Sequence, residues 1–505
     1  MAGEFKHPLA DPKHARTLVA ELPAYDYLKA LDEITGWLES LGQDCDFRLD
    51  RLFEIIDLLD EAARGHDERL VREYLATSRQ QKFQEVKLWT RGFDFASALC
   101  GAYVCCVRQY RDRAPGASAL KKHMPLIIAR ALRASRLQLK WTMLRYGPYE
   151  AKLWKAVGEL YQYGNASGIS EVELPIYASS KTSGTIRQEY LKILMLCCSG
   201  ADVLPPLRQE LAERVVSYFA PLFEVAKSPF PGALYSFDTA GDRAPARMDS
   251  NPPAPSAPSY FGPGDAPLRI AKLIAAIGRA GVVPPSLNLG PHCSADTVVA
   301  LLRHLAAYWT DTAPLREYPR RPVSARINVV PGYTALLDEL ERDEVNALNF
   351  TASATENWVV DNVSDEGYGA FLPASRVDWI RVGEIVGVQL EGSKQWGAGL
   401  VRRVARDEQQ HVHVEVDMVS RHVIEVRIAR EGAGSDAESA ILLSGATNAN
   451  GEVGLLMHAG RFDASSKIEV NGRTKSYVFV PCRLIDSGDD FDWATFTIER
   501  RVQAS

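Results

Sequence analysis

The chain has 505 residues, of which 46% are apolar and 24% charged, the composition of an ordinary globular protein with room for two to four domains rather than a disordered or fibrous one. Its formal net charge of −6 at pH 7 argues against wholesale attraction to nucleic acid or to an anionic membrane surface. Eight cysteines include two adjacent pairs, Cys105–Cys106 and Cys197–Cys198, inside apolar stretches, and no CxxC spacing occurs. That usage fits reduced, buried thiols better than a disulfide framework or a zinc site. The opening MAGEFKHPLADPKHAR has no apolar core of the signal-peptide kind, and no apolar run approaches the roughly 20 residues needed to span a bilayer. The expected location is therefore the cytoplasm, with no membrane insertion.

In chain order, residues 1–225 read as an all-α domain. Leu31, Ile34, Leu38 and Leu41 recur at helical spacing, and Leu52, Ile55, Ile56 and Leu59 follow the i, i+3, i+4, i+7 pattern. Further helical segments cover 93–110, 125–146 and 151–163, without a 34-residue period that would mark a repeat array. Residues 226–265 change character. The run NPPAPSAPSYFGPGDAP, with its closely spaced prolines, reads as a linker or long surface loop. Two helices are expected over 266–310, the second opened by Ser294 as N-cap and carrying Val298, Leu302, Leu305 and Trp309 along one stripe.

After Trp309 the periodicity changes from 3.6 to 2. RPVSARINVV, NWVVDNVS, GEIVGVQL, GAGLVRRVA, HVHVEVDMV and VIEVRIA read as strands, and so many short strands in succession suggest an antiparallel barrel over 311–430. TALLDELERDEVNA between the first two strands reads as a short helix or long loop. The pattern restarts near 432 as a smaller C-terminal β-domain over 431–505, where Asn471-Gly472 signals a two-residue hairpin. The fold class expected is thus α+β and multidomain: a helical domain, a six-stranded antiparallel barrel and a further β-domain.

The residues with a chemical message stand where helix gives way to barrel. LREYPRRPVSARINVV carries Arg316-x-x-x-Arg320 with Arg321 adjacent, and VVDNVSDEGYGAFL carries Asn362-x-Ser364-x-x-Gly367. A guanidinium offers a rigid fork of donors that fits phosphate oxygens and the O6/N7 edge of guanine alike. Pro319 and Pro322 stiffen the arm that holds the arginines. Asn362 and Ser364, two apart, share a strand face and can hydrogen-bond a base edge, while Gly367 lets a planar base approach. Both motifs, in this order, resemble the PilZ domain family over about residues 311–430. That resemblance implies a six-stranded barrel that binds cyclic di-GMP, with Arg316, Arg320, Asn362, Ser364 and Gly367 as contacts and Arg321 beside them. The chain departs from the compact pattern in the long segment between the motifs, and Glu415 falls in the region of the family's late-strand glycine.

Other candidates read more plainly. Arg133, Arg136 and Lys140, near Trp141 and Arg145, fall on one helix side and read as a solvated face, with an acidic partner or nucleic acid as the alternative. His411 and His413 alternate on a strand without an obvious third metal ligand. No nucleophile–base pair, phosphate loop, dinucleotide fingerprint or nucleotide cyclase or phosphodiesterase signature occurs, so the chain reads as a non-enzyme without cofactor. The reading is an effector that senses cyclic di-GMP at the barrel and meets a protein partner through its helical domain. The rivals are an adaptor with a degenerate barrel that binds no nucleotide, and a nucleic-acid-binding helical protein.

Overall fold

The computed structural model describes residues 7–41, 47–77, 81–178, 183–250, 255–290, 293–312, 320–342, 355–364, 366–373, 379–409, 411–430, 437–444, 451–471 and 476–502. The chain divides into two compact units, Met1–Ala201 with Pro206–Leu315, and Arg316–Ser505 with Asp202–Pro205.

The first unit is built on helices α1 (Pro12–Ala20), α2 (Tyr27–Leu41), α3 (Leu49–Ala76), α4 (Lys82–Arg111), α5 (Met124–Met143), α6 (Ala151–Ala166), α7 (Ile186–Cys197) and α8 (Pro206–Phe219). The stripes expected on α2 and α3 are the buried ones: Leu31, Ile34, Leu52, Ile55, Ile56 and Leu59 are all within 2% of full burial. Thr185 caps α7 by accepting from the backbone of Gln188 at 3.1 Å. Gly92 on α4 admits the buried Trp141 ring, whose atoms come within 2.2 Å of where a Cβ would stand. Among the described residues no helix is long and apolar enough to cross a membrane, and the described cysteines are free, with Cys482 exposed rather than buried.

Helix α5 corrects one expectation. Arg136 and Lys140 are 5% and 7% exposed, not a solvated face, because α4, α6, α7 and α8 pack around α5 from several sides. Their charges are met by acids far away in sequence: Lys140 lies 3.1 Å from Glu210, and Arg136 pairs with Glu213 and donates to Ser217 at 2.8 Å.

The proline-rich stretch is a second correction. After the short pair β1 (Leu174–Pro175) and β2 (Ser183–Gly184), strands β3 (Glu224–Ala226), β4 (Tyr235–Asp238), β5 (Ala246–Arg247) and β6 (Pro258–Gly262) form a sheet in the order β3-β6-β4-β5. Tyr235, Phe237 and Phe261 are at most 3% exposed. The prolines fall largely between strands or at a strand's first residue, where no ladder donor is lost, and the buried aromatics outweigh them. Helices α9 (Ala266–Ala280) and α10 (Ala295–Tyr308) follow. Gly281, at φ 65°, ends α9 in the left-handed conformation, and Ser294 caps α10.

The second unit holds two closed barrels. In the first, β7 (Arg321–Pro331), β8 (Glu356–Val363), β9 (Gly367–Pro373), β10 (Ile385–Leu390), β11 (Gly397–Arg406) and β12 (His411–Ser420) close in the order β10-β11-β12-β9-β8-β7. Helix α11 (Gly332–Arg342) lies between β7 and β8 in sequence. The second barrel closes β13 (His422–Arg430), β14 (Glu438–Ser444), β15 (Val453–His458), β16 (Ile468–Asn471), β17 (Ser476–Ser487) and β18 (Phe491–Val502) in the order β13-β14-β15-β18-β17-β16.

Shorter in chain, the second barrel nonetheless has as many strands as the first. Residues 422–430, expected with the first barrel, pair instead with β14 and β16. One residue separates β12 from β13, and alternation continues through both, so the sequence carries no sign that the ladder partner changes there. The β16–β17 ladder pairs Asn471 with Ser476, so Asn471 stands in the strand, and Gly472 of the expected turn lies outside the described residues.

The two barrels share a core around α11. Tyr333, Leu336, Leu337 and Leu340 pack with Ile385 and Leu400 of one barrel and with Val423, Ile441 and Leu456 of the other. Tyr333 is anchored at both ends. Its backbone donates to Asp490 at 2.8 Å, and its hydroxyl donates to the Ser439 carbonyl at 3.0 Å.

Candidate functional site

The outer face of the first barrel is set by strand alternation. On β12, Val412, Val414 and Val416 are buried, while His411, His413, Glu415 and Asp417 face out. Glu415 pairs with Gly369 of β9 and with Arg403 of β11. Gly369 in turn pairs with Asn362 of β8. Plain alternation from the buried Trp358 and Val360 would turn Asn362 inward. A bulge between Val360 and Asn362 inserts Asp361 and brings Asn362 out. Asn362, Gly369, Glu415 and Arg403 therefore form one row across four strands.

Arg320 closes over this row. It immediately precedes β7, whose Arg321 and Pro322 pair with Val363 and Asn362. Its Nη1 donates to Asn362 Oδ1 at 2.6 Å, and its Nη2 lies 3.3 Å from Glu415 Oε2. The other Glu415 oxygen is 3.8 Å from Arg403. With the Arg320 side chain only 11% exposed, these contacts act in a partly desolvated setting where geometry matters more than at an open surface. Below the row, Arg402 holds Asp417 at 3.1 Å. Burial raises the Asp417 carboxyl above its ordinary range, against the opposing pull of Arg402 and Arg320.

The glycines have separate tasks. The Asn362 amide lies within 2.5 Å of the place a Cβ on Gly369 would take, so the missing side chain is what lets the amide lie flat on the sheet. A Cβ on Gly367 would meet the Val416 carbonyl oxygen at 2.1 Å, a backbone atom that cannot move aside. Gly367→Ala is therefore expected to lower the unfolding temperature of the barrels, at a cost of about 1–3 kcal/mol. Gly369→Ala, which displaces only a flexible side chain, leaves it close to the starting value. Thermal unfolding of the two variants side by side checks the contrast.

Of the residues read from the sequence, Arg320, Asn362 and Gly367 meet on this face. Ser364 sits at the adjoining turn, where its backbone donates to the Gly367 carbonyl at 2.9 Å. Arg321 is exposed, and among the described residues it makes no hydrogen bond or ion pair with the row. Arg316 lies outside the described residues. Arg403 and Gly369 were missed as site residues. The Gly-Tyr-Gly spacing, two glycines on one face of a strand, is the signal that could have found Gly369.

One step along the same strands, Phe371 lies between His411 and His413, tilted against the first and edge-on to the second, with ring centroids 4.5 and 4.8 Å away. Asp407 lies 3.2 Å from His411 and 3.6 Å from His413. Among the described residues no group of three or more such side chains is arranged to hold a metal ion.

The family described as the N-terminal domain of the cyclic-di-GMP receptor FimW matches residues 13–229. No curated protein and no solved structure shows a significant match to the chain. The family match runs from α1 past α8 in the helical unit and so bears on a different part of the chain from the barrel row.

Proposed function

We propose that this chain is a cyclic di-GMP receptor of PilZ type, with the row closed by Arg320 as its ligand site. The observation that carries the reading is the Arg320 guanidinium on Asn362 Oδ1 at 2.6 Å, which joins the two motifs on one barrel face. Independent support comes from the likeness of residues 13–229 to the N-terminal domain of a cyclic-di-GMP receptor. The Arg320 fork suits a phosphate or the O6/N7 edge of guanine, and the Asn362 amide, laid over Gly369, suits a base edge. In this proposal Arg316 supplies a second fork from the arm before β7, and Ser364 and Gly367 shape the turn beside it. Arg321 flanks the site.

In the same proposal the chain binds without catalysis, works in the cytoplasm and passes the signal to a protein partner through the helical unit. Titration of the full chain with cyclic di-GMP by calorimetry tests the reading. Saturable heat is expected, and its absence at tens of micromolar would leave the rival of a scaffold that binds no nucleotide.

Glu415 occupies the fork that a phosphate would take. Its carboxylate stands in for the ligand anion, so the nucleotide has to displace it. Glu415→Gln is expected to tighten binding by roughly two- to fivefold, the range of a modest ion pair near the protein surface. A parallel titration checks this, and weaker binding by the variant would show that Glu415 instead supports the ligand.

A further inference from the structure

The helical unit holds a half-open cavity of about 1080 Å³, lined by residues of α3, α4, α5, α7 and α8 and by Tyr177. This is the size of a site for a nucleotide or larger cofactor. Most charges on its wall are satisfied within it. Lys140 meets Glu210 at 3.1 Å, Lys192 meets Glu189 at 2.5 Å, and Arg136 pairs with Glu213.

Two groups are not satisfied. The Arg133 guanidinium lies over the Tyr177 ring, 4.8 Å from its centroid, with no hydrogen bond among the described residues, and Glu189, Glu213 and Asp60 act on its charge only at longer range. Asp67, on the same wall, has its Oδ1 shut from water without a hydrogen-bond partner. Burial pushes its carboxyl up to about 6, against the pull of Lys140 and Arg133 and with Glu210 and Glu213 adding to the rise. The unpaired Asp67 oxygen stands at an energetic cost until something pairs it, and the Arg133 fork keeps its donors open to a ligand.

A simple anion would answer Arg133 and leave Asp67 worse off. The ligand that answers both carries an anionic group and, elsewhere, a pair of adjacent N–H donors. Guanine presents N1–H and the N2 amino group side by side on its Watson–Crick edge, a match for a carboxylate, and its phosphates match a guanidinium. Adenine has no such donor pair. We propose that this cavity is a guanine-nucleotide site, with Arg133 on phosphate, Asp67 on the base edge and Tyr177 as the ring that holds Arg133 in place. The site is separate from the barrel row and does not depend on that row binding anything.

The test uses the full chain carrying Arg320→Ala, so that the barrel row is disabled, titrated separately with GDP, cyclic di-GMP and ADP. At least one guanine ligand is expected to bind in preference to ADP. The GDP and cyclic di-GMP arms tell a mononucleotide from the cyclic dinucleotide. Arg133→Gln should weaken that binding by roughly tenfold or more. Asp67→Asn should move preference from GDP to xanthosine diphosphate, because an amide presents a donor to the xanthine oxygen that replaces the guanine amino group. That gain cannot arise from misfolding. Hydrogen exchange of α3 and α5 with and without GDP or cyclic di-GMP gives a second readout that needs no cavity substitution. No guanine binding by the Arg320→Ala chain overturns the proposal. Equal binding of GDP and ADP, or guanine binding untouched by both cavity substitutions, does so as well. Loss of cyclic di-GMP binding on Arg320→Ala with GDP binding kept bears on the barrel alone.

Discussion

Arg320→Ala should remove most of the affinity of the barrel row for cyclic di-GMP. A charge-assisted hydrogen bond from a guanidinium is worth about 1.5–3 kcal/mol, so each one lost weakens binding by roughly ten- to a hundredfold. Arg320→Lys should recover little, since an ammonium keeps the charge and loses the planar fork that spans Asn362 and Glu415. Gly369→Ala should weaken binding as well while leaving the fold intact, because it pushes the Asn362 amide off its floor. Calorimetry at one fixed salt concentration measures all three. An Arg320→Ala chain that binds as tightly as the unaltered one would remove the barrel row from the account.

The largest expected effect on stability lies elsewhere. Arg130, 4% exposed, pairs with Asp57, lies 2.9 Å from Glu61 and 3.8 Å from the buried Asp60, and donates to the Ile176 carbonyl at 2.8 Å. Asp60 also accepts from Tyr103 at 2.7 Å and from Tyr177 at 3.0 Å. Arg130→Leu leaves that carboxylate buried without its cation, a change that costs about 3–5 kcal/mol in comparable settings. The pH dependence has a definite sign. Burial already raises the Asp60 carboxyl, against the hydrogen bond from Tyr103 and the charge of Arg130. The folded form therefore holds its proton more tightly than the unfolded one, and this group's contribution to stability falls as pH rises from the ordinary carboxylate range to its folded value. Without Arg130 that folded value climbs further. The deficit of the variant should thus be larger at pH 8 than at pH 5 in scanning calorimetry of the helical unit, and a deficit flat with pH would exonerate Asp60.

What could be read in advance follows from how local the governing physics is. The stripes of α2 and α3 depend on residues three and four apart, and Leu31, Ile34, Leu52 and Ile56 are buried as their spacing requires. Arg320 and Asn362 were legible as chemistry, but not the bulge at Asp361, because two-residue alternation alone would have buried Asn362. Arg136 and Lys140 misled because the acids that neutralise them, Glu210 and Glu213, lie on another helix some seventy residues on. The prolines of 226–265 are a local signal, whereas the burial of Phe237 and Phe261 that overrides it is a tertiary one. The change of ladder partner between Ser420 and His422 leaves no local trace at all.

Helix α11 makes the barrels a single inheritance. Cutting the chain between β12 and β13 would strip Tyr333, Leu336 and Leu340 of half their apolar company and leave Asp490 without the amide it receives. A transplant of the arginine row into another protein must therefore carry both barrels to keep its footing. The helix that directly follows β7 is thus also the neighbour of strands a hundred residues downstream.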